Sequence, residues 1–298
     1  MSSEFAVRKA FERVFGPRLM PYLLHLRPME WPIMTAHFLL GAILAVGLRL
    51  PPGRTLLAWF VFIVLLNGGT LALNSAFDQD EGDIGYLRRP PKPPRHLLLV
   101  SSLMLAAALG LGFLLPPLFA GCNAACVAMA VLYSVPPVRL KARAGWDLLI
   151  NTAGFGLLTT LAGWAFTGRP LTGWMLALAV GFACLFGALY PPTQIYQIEE
   201  DRARGDRTLV IVLGETASLA GASALALGAH LWFAWAALKA GRPVYPLLVS
   251  LGPWMAVLLP WWARWRRWTP ARHQKGMYWA LGAWGVTDVT VLGLFWPR

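Results

Sequence analysis

The stretch TLLAWFVFIVLLNGGTLALNSAFDQDEGD, residues 55–83, decides how the rest of the chain reads. Residues 55–76 carry no charge and are long enough to cross a hydrocarbon core of about 30 Å as one helix. The run then stops in a cluster of acids: Asp78, Asp80, Glu81 and Asp83. An uncharged span that ends in crowded carboxylates predicts a membrane helix with chemistry at one end.

The remainder of the chain fits a membrane setting. It is 57% hydrophobic and 13% charged, with a mean hydropathy of +0.55, far too apolar for a soluble domain of 298 residues. Apolar stretches of spanning length fall near 31–49, 55–76, 96–116, 118–136, 146–167, 172–192, 215–238, 244–262 and 277–296. The expected fold is all-α: a polytopic membrane protein of nine transmembrane helices, one domain over 1–298, with residues 1–30 as a cytoplasmic amphipathic lead-in. The first thirty residues carry charge throughout and lack the layout of a secretory signal. Trp31, Trp146, Trp261, Trp262 and Trp296 suit an interfacial belt. The ninth stretch is interrupted by Asp288, either a functional intramembrane acid or a residue near the outer interface. Cys122, Cys126 and Cys184 lie within apolar stretches without zinc-site spacing and read as packing residues.

The 26 Lys and Arg set the orientation. Twenty of them sit in the N-terminal segment and in the loops at 77–95, 137–145, 193–214 and 263–276, all on one side; six sit on the other. By the positive-inside rule the N-terminus and the acidic loops face the cytoplasm, and an odd number of spans puts the C-terminus outside, as in a bacterial or archaeal inner membrane. The net charge of +12 is therefore a matter of topology and anionic lipid headgroups, and no nucleic-acid partner is expected.

Eight of the 14 acids fall in two windows, the one above and Glu199, Glu200, Asp201 and Asp206. Packed carboxylates repel unless a cation neutralises them, and a divalent metal is the natural partner. On a helix, Asn74, Asp78 and Glu81 stand at i, i+4 and i+7 and project from one face. Oxygen ligands of this kind suit Mg2+, which takes one or two carboxylates and completes its shell with water and phosphate oxygens. In the second window Tyr196 and Glu200 share one face while Gln194 and Asp201 share another, and either pair could line a cavity. Asp206 reads as a loop ion pair with Arg204 or Arg207. The similar endings of the second and sixth spans form a coarse internal echo.

The fourth span ends in YSVPPVRLKARAG, where the Pro pair stops the helix and brings Arg139, Lys141 and Arg143 to the same side. Cations beside two acidic clusters can clamp a diphosphate and stabilise it as a leaving group. Transporters place ionisable groups near the midplane on broken helices, unlike these helix-end clusters, which weighs against a non-enzymatic carrier.

These elements together resemble the UbiA superfamily of intramembrane prenyltransferases over nearly the whole chain. The resemblance rests on Asn74-x-x-x-Asp78 closing the second span and Tyr133-Ser-x-Pro-Pro-x-Arg-Leu-Lys141 closing the fourth. The acidic stretch running to Gly205, Thr208 and Gly214 follows the sixth, and Leu26-Arg27-Pro28 precedes the first. It implies nine helices around a central cavity, with Mg2+ joining both acidic motifs to an isoprenoid diphosphate whose tail lies in an apolar tunnel open to membrane lipids. Asn74, Asp78, Glu81, Glu200 and Asp201 would be metal ligands. Tyr133, Arg139 and Lys141 would hold the diphosphate, with Tyr196 and Asp83 near the developing cation. Members commonly carry Asp where this chain has Ser75 and Gly82. The implied activity is Mg-dependent prenyl transfer to a hydrophobic or aromatic acceptor, with a terpene cyclase on the same scaffold as the rival reading.

Overall fold

The computed structural model describes residues 15–78 and 91–297, and apart from a parallel bridge between Arg143 and Arg207 the regular structure among them is helical. A lead-in helix over 15–25 precedes nine long helices: α1 (Trp31–Val46), α2 (Pro52–Asp78), α3 (Leu97–Gly112), α4 (Pro117–Ser134), α5 (Trp146–Ala165), α6 (Gly173–Ile195), α7 (Leu209–Lys239), α8 (Leu247–Arg264) and α9 (Pro270–Leu294). Among the described residues, five of these, α2 and α4 to α7, are long and apolar enough to cross a membrane by length and composition, and α1 and α3 are shorter apolar helices. Proline opens α2, α4 and α9, where its missing N–H costs nothing.

Two apolar cores organise the bundle. One draws on α2, α3 and α4, the other on α7, α8 and α9, while α1, α5 and α6 contribute to both. The central helices can serve both because they pack very closely. A Cβ on Gly163 of α5 would collide with the Phe38 carbonyl of α1, and one on Gly41 of α1 would meet the Thr160 carbonyl of α5. Reciprocal glycines bring two backbones together in the way membrane helices pack in general, since lipid offers no hydrophobic drive between them.

Both α2 and α5 contain a π-helical segment, Phe60–Asn67 and Thr152–Leu158. Segments of this kind cluster at functional sites, and here both flank the cavity described below.

Several boundaries depart from the sequence expectation. Helix α7 begins at Leu209 instead of near 215 because the chain continues through a sharp kink at Gly214 (φ 77°, ψ 162°). Helix α9 begins at Pro270 instead of near 277, capped by Thr269, whose hydroxyl accepts from Arg272 N at 3.3 Å. Nor does Asp288 interrupt it. The Asp288 carboxylate lies 3.3 Å from His37 Nδ1 and accepts from Trp284 Nε1 at 3.2 Å, while His37 Nε2 sits 2.8 Å from Thr160 Oγ1. This polar chain ties α9 to α1 and α5, and the buried His37, Thr160 and Trp284 find their partners within it.

Candidate active site

The helix ends at one side of the bundle carry an unbroken lattice of charges. Asn74 and Asp78 stand one turn apart at the end of α2. Ser134 at the end of α4 donates to Asn74 Oδ1 at 3.3 Å. Beyond the Pro136–Pro137 pair, joined by a cis peptide, the chain makes a tight turn with Arg139 in the left-handed region (φ 37°), and the short turn Leu140–Ala142 follows. This geometry swings Lys141 inward. Its ammonium donates to Asn74 Oδ1 at 2.7 Å and to Asp78, with only 8% of the residue exposed.

Arg139 bridges the two acidic regions. Its Nη2 reaches Asp78 Oδ1 at 3.4 Å, and its guanidinium grips Asp206 through both oxygens at 2.5 and 3.3 Å. Burial works against the Arg139 charge, but the bonds and fields of Asp206 and Asp78 outweigh it and push the pKa upward. Arg204 completes the lattice, donating to Asp201 at 2.5 Å and to Asp206 at 3.4 Å. Asp201 sits on the short helix Ile198–Ala203, which is followed by Gly205 in the left-handed region (φ 75°). Asp78, Asp201 and Asp206 are all nearly buried.

Below this lattice lies a cavity of about 410 Å³, within the range of small-molecule sites. Its polar mouth includes Asn74, Asp78, Lys141, Asp201 and Asp206. Its deeper wall includes Phe62 and Leu66 of α2, Met129 of α4, Phe155 of α5 and Phe186 of α6. Arg27 and Glu30 stand at the α1 edge. Arg27 is in the left-handed region (φ 49°), and its side chain is only 10% exposed. Its Nη1 lies 3.8 Å from Glu30, while its Nε and Nη2 have no hydrogen-bond partner among the described residues.

The expected residues thus divide. Asn74, Asp78, Tyr133, Lys141, Tyr196 and Asp201 all line the cavity, and Arg139 is bonded into its mouth. Glu81, Asp83 and the side chain of Glu200 lie outside what is described. Gln194 and Tyr196, placed by the sequence on alternative faces, both reach the cavity, because α6 ends at Ile195 and the chain turns before the next short helix. Asp206 does pair with Arg204, as expected for a loop residue, but it also binds Arg139, which places it in the site; Arg207 instead pairs through its backbone, donating to Ala142 O at 3.1 Å. The cations and acids are interleaved, where the sequence suggested separate clusters. Among the described residues no three acidic, His or Cys side chains gather as a preformed metal cage.

One residue escaped the sequence reading. Asp147, fully buried at the start of α5, accepts from Gly145 N (2.8 Å), Leu209 N (2.9 Å) and Gln194 Nε2 (2.9 Å), joining three elements at the back of the site. An acid one residue inside an apolar span is the signal that marks it.

A charged lattice at one end of a membrane helix bundle, over an apolar cavity, is the layout of an enzyme for lipid-soluble substrates with anionic heads. The chain is placed more closely by its sequence: residues 34–282 match the UbiA prenyltransferase family, and the protein belongs to it. It is an integral multi-pass membrane protein with the fold of that family. Over 194 residues it is 31% identical to the digeranylgeranylglyceryl phosphate synthase of Natronomonas pharaonis, a match covering 60% of this chain and 64% of that protein's length. Its fold superposes on a UbiA homolog from Archaeoglobus fulgidus bound to DMAPP and Mg2+, with a TM-score of 0.69 at 19% identity over 90% of this chain and 99% of the other. A structure of digeranylgeranylglyceryl phosphate synthase aligns with a TM-score of 0.69 at 14% identity, covering 93% and 98% of the two chains.

Proposed function

We propose that this protein cleaves an isoprenoid diphosphate in a Mg2+-dependent reaction and transfers the prenyl group to a lipophilic or aromatic acceptor within the membrane. The observation that carries this reading is the lattice running from Asn74 through Lys141, Asp78, Arg139, Asp206 and Arg204 to Asp201 at the mouth of an apolar cavity. Its cations match a diphosphate and its oxygens match a hard divalent ion. The names of the relatives, which include a DMAPP and Mg2+ complex, support the same substrate class.

In this reading Asn74, Asp78 and Asp201, with Glu81 and Glu200, would hold Mg2+, which when bound would supply positive charge to neutralise the diphosphate. Arg139, Lys141 and Tyr133 bind its phosphate oxygens. The bond between C1 of the prenyl chain and the bridging oxygen breaks, and its electron pair leaves with the diphosphate. The allylic cation lies against the cavity wall, where the ring face of Tyr196 stabilises it, and Asp83 is the carboxylate proposed to balance its charge. A lone pair of the acceptor then forms the new bond to C1, and the acceptor gives up its proton. Arg27, with two unspent donors, suits an anionic group on the acceptor, as in the glyceryl phosphate that the 31% identical relative's name specifies. The whole chain acts as one domain with nine membrane crossings, the N-terminus and the active end cytoplasmic, the C-terminus outside.

The test uses protein in lipid nanodiscs, labelled prenyl diphosphates and a panel of acceptors. Replacing Asp78 and Asp201 together by Ala is expected to lower turnover by on the order of 100-fold or more in protein that keeps its unfolding temperature. Full turnover in that variant, or turnover indifferent to chelation of Mg2+, refutes the proposal. A cyclic product formed without any acceptor would instead establish a cyclase.

A further inference from the structure

Behind the diphosphate region, the buried Asp147 carboxylate begins a hydrogen-bond chain whose direction is fixed by chemistry. Three N–H groups already point at it, so it acts as an acceptor, and the nearest atom of Gln194 must be the amide nitrogen. Gln194 Nε2 donates one hydrogen to Asp147 Oδ2 at 2.9 Å and the other to Tyr190 Oη at 3.2 Å. Its Oε1 is buried and has no partner among the described residues, and turning the amide over would aim that oxygen at an Asp147 oxygen that accepts from Leu209 N. Tyr190 Oη in turn lies 3.1 Å from Tyr133 Oη. On the far side, Asn151 Nδ2 donates to the Asp147 backbone carbonyl at 2.7 Å.

The two phenols own two hydrogens. One is spent in their mutual bond, whichever phenol gives it. The other cannot go back to Gln194, which presents N–H and not a lone pair. Among the described residues neither phenol has another acceptor within hydrogen-bond distance, so this hydrogen faces the cavity that Tyr133, Asn151, Tyr190 and Gln194 all line.

We propose that Asp147 and Gln194 are positioning residues that hold the Tyr133–Tyr190 pair as a single hydrogen-bond donor aimed at the departing diphosphate oxygen. The inference rests on the reading of Tyr133 as a diphosphate ligand. As the C1–O bond breaks, the oxygen gains the electron pair and the phenolic hydrogen bond to it strengthens; no proton is transferred. A donor already oriented toward developing charge acts on the transition state more than on the bound substrate.

The experiment is steady-state kinetics of prenyl transfer in nanodiscs for wild type, Tyr133→Phe, Tyr190→Phe, the double Phe variant and Gln194→Glu, with thermal unfolding measured for each. Either single Phe variant keeps one phenolic hydrogen and is expected to lose about 5-fold or less in kcat. The double variant keeps none and is expected to lose on the order of 100-fold, far more than the product of the two single losses, with KM for the prenyl diphosphate changed much less. Gln194→Glu offers Tyr190 an acceptor oxygen, because Asp147 claims the one proton a carboxyl could hold; the free hydrogen turns inward and kcat should fall like that of the double variant. Multiplicative losses in the Phe series, or losses that follow unfolding temperature instead of donor count, overturn the proposal. If wild type neither binds nor turns over a prenyl diphosphate, the functional reading fails; if it does and the Phe series is flat, only this inference fails.

Discussion

At the scale of the residue, His25 links burial to acid sensitivity. It lies at the end of the lead-in helix, almost fully buried, with Nε2 3.1 Å from the Pro91 carbonyl. A carbonyl only accepts, so Nε2 carries the hydrogen, and Nδ1, buried without a partner among the described residues, is the bare nitrogen. Burial pushes the His25 pKa below its usual value; the bond to Pro91 opposes this and the charge of Arg27 adds to it. The unfolded chain therefore binds the proton first. Stability is complete above the ordinary histidine pKa of about 6.5 and falls as pH drops below it. Thermal unfolding followed from about pH 7.5 to 5.5 should show the midpoint declining in wild type and a shallower decline in His25→Gln. How far single residues could be read from the sequence depended on crowding. Asp78 and Asp201 stand out because acids are rare in this chain and gather around them, whereas Asp147 stands alone and acquires its role only when Gly145, Gln194 and Leu209 fold around it.

At the scale of the element, the crossing of α1 and α5 depends on Gly41 and Gly163. The atoms that a Cβ would meet there are backbone carbonyls, which cannot swing aside as a side chain can. Gly163→Leu should force the helices apart and cost about 3 kcal/mol or more, visible as a lowered unfolding temperature and loss of a monodisperse elution profile. Gly110→Ala, facing open space in α3, is the matched control. The apolar runs of the five helices long and apolar enough to cross a membrane could be read from hydropathy alone, because a membrane-spanning helix needs an unbroken apolar run. Helix ends were less legible where geometry departs from composition. Residues 270–276 are polar yet continue α9, and Gly214 bends α7 without ending it. The π segments of α2 and α5 leave no mark on an apolar run, since their extra residue per turn changes which way side chains face and not how apolar they are.

At the scale of the whole molecule, the cavity relates the charged mouth to the length of chain it can accept. Gly154 in the π segment of α5 lines it, and a Cβ there would meet only Met129 Cε, at 3.8 Å. Gly154→Leu should fill the deep end and leave the charged lattice alone. In a competition between geranyl and geranylgeranyl diphosphate, followed by mass spectrometry of the products, the variant should shift toward the shorter chain; an unchanged ratio would place the tail elsewhere. The tie between His37 on α1 and Asp288 on α9 also bears on how the protein is made. The two residues are 251 positions apart, so the ribosome finishes α9 roughly 13 to 50 s after α1 at typical synthesis rates. Through that interval α1 carries an imidazole whose carboxylate partner has not yet been translated. The tie between α1 and α9 can form only once Asp288 is made, and chains truncated before it should be the ones that cellular quality control removes.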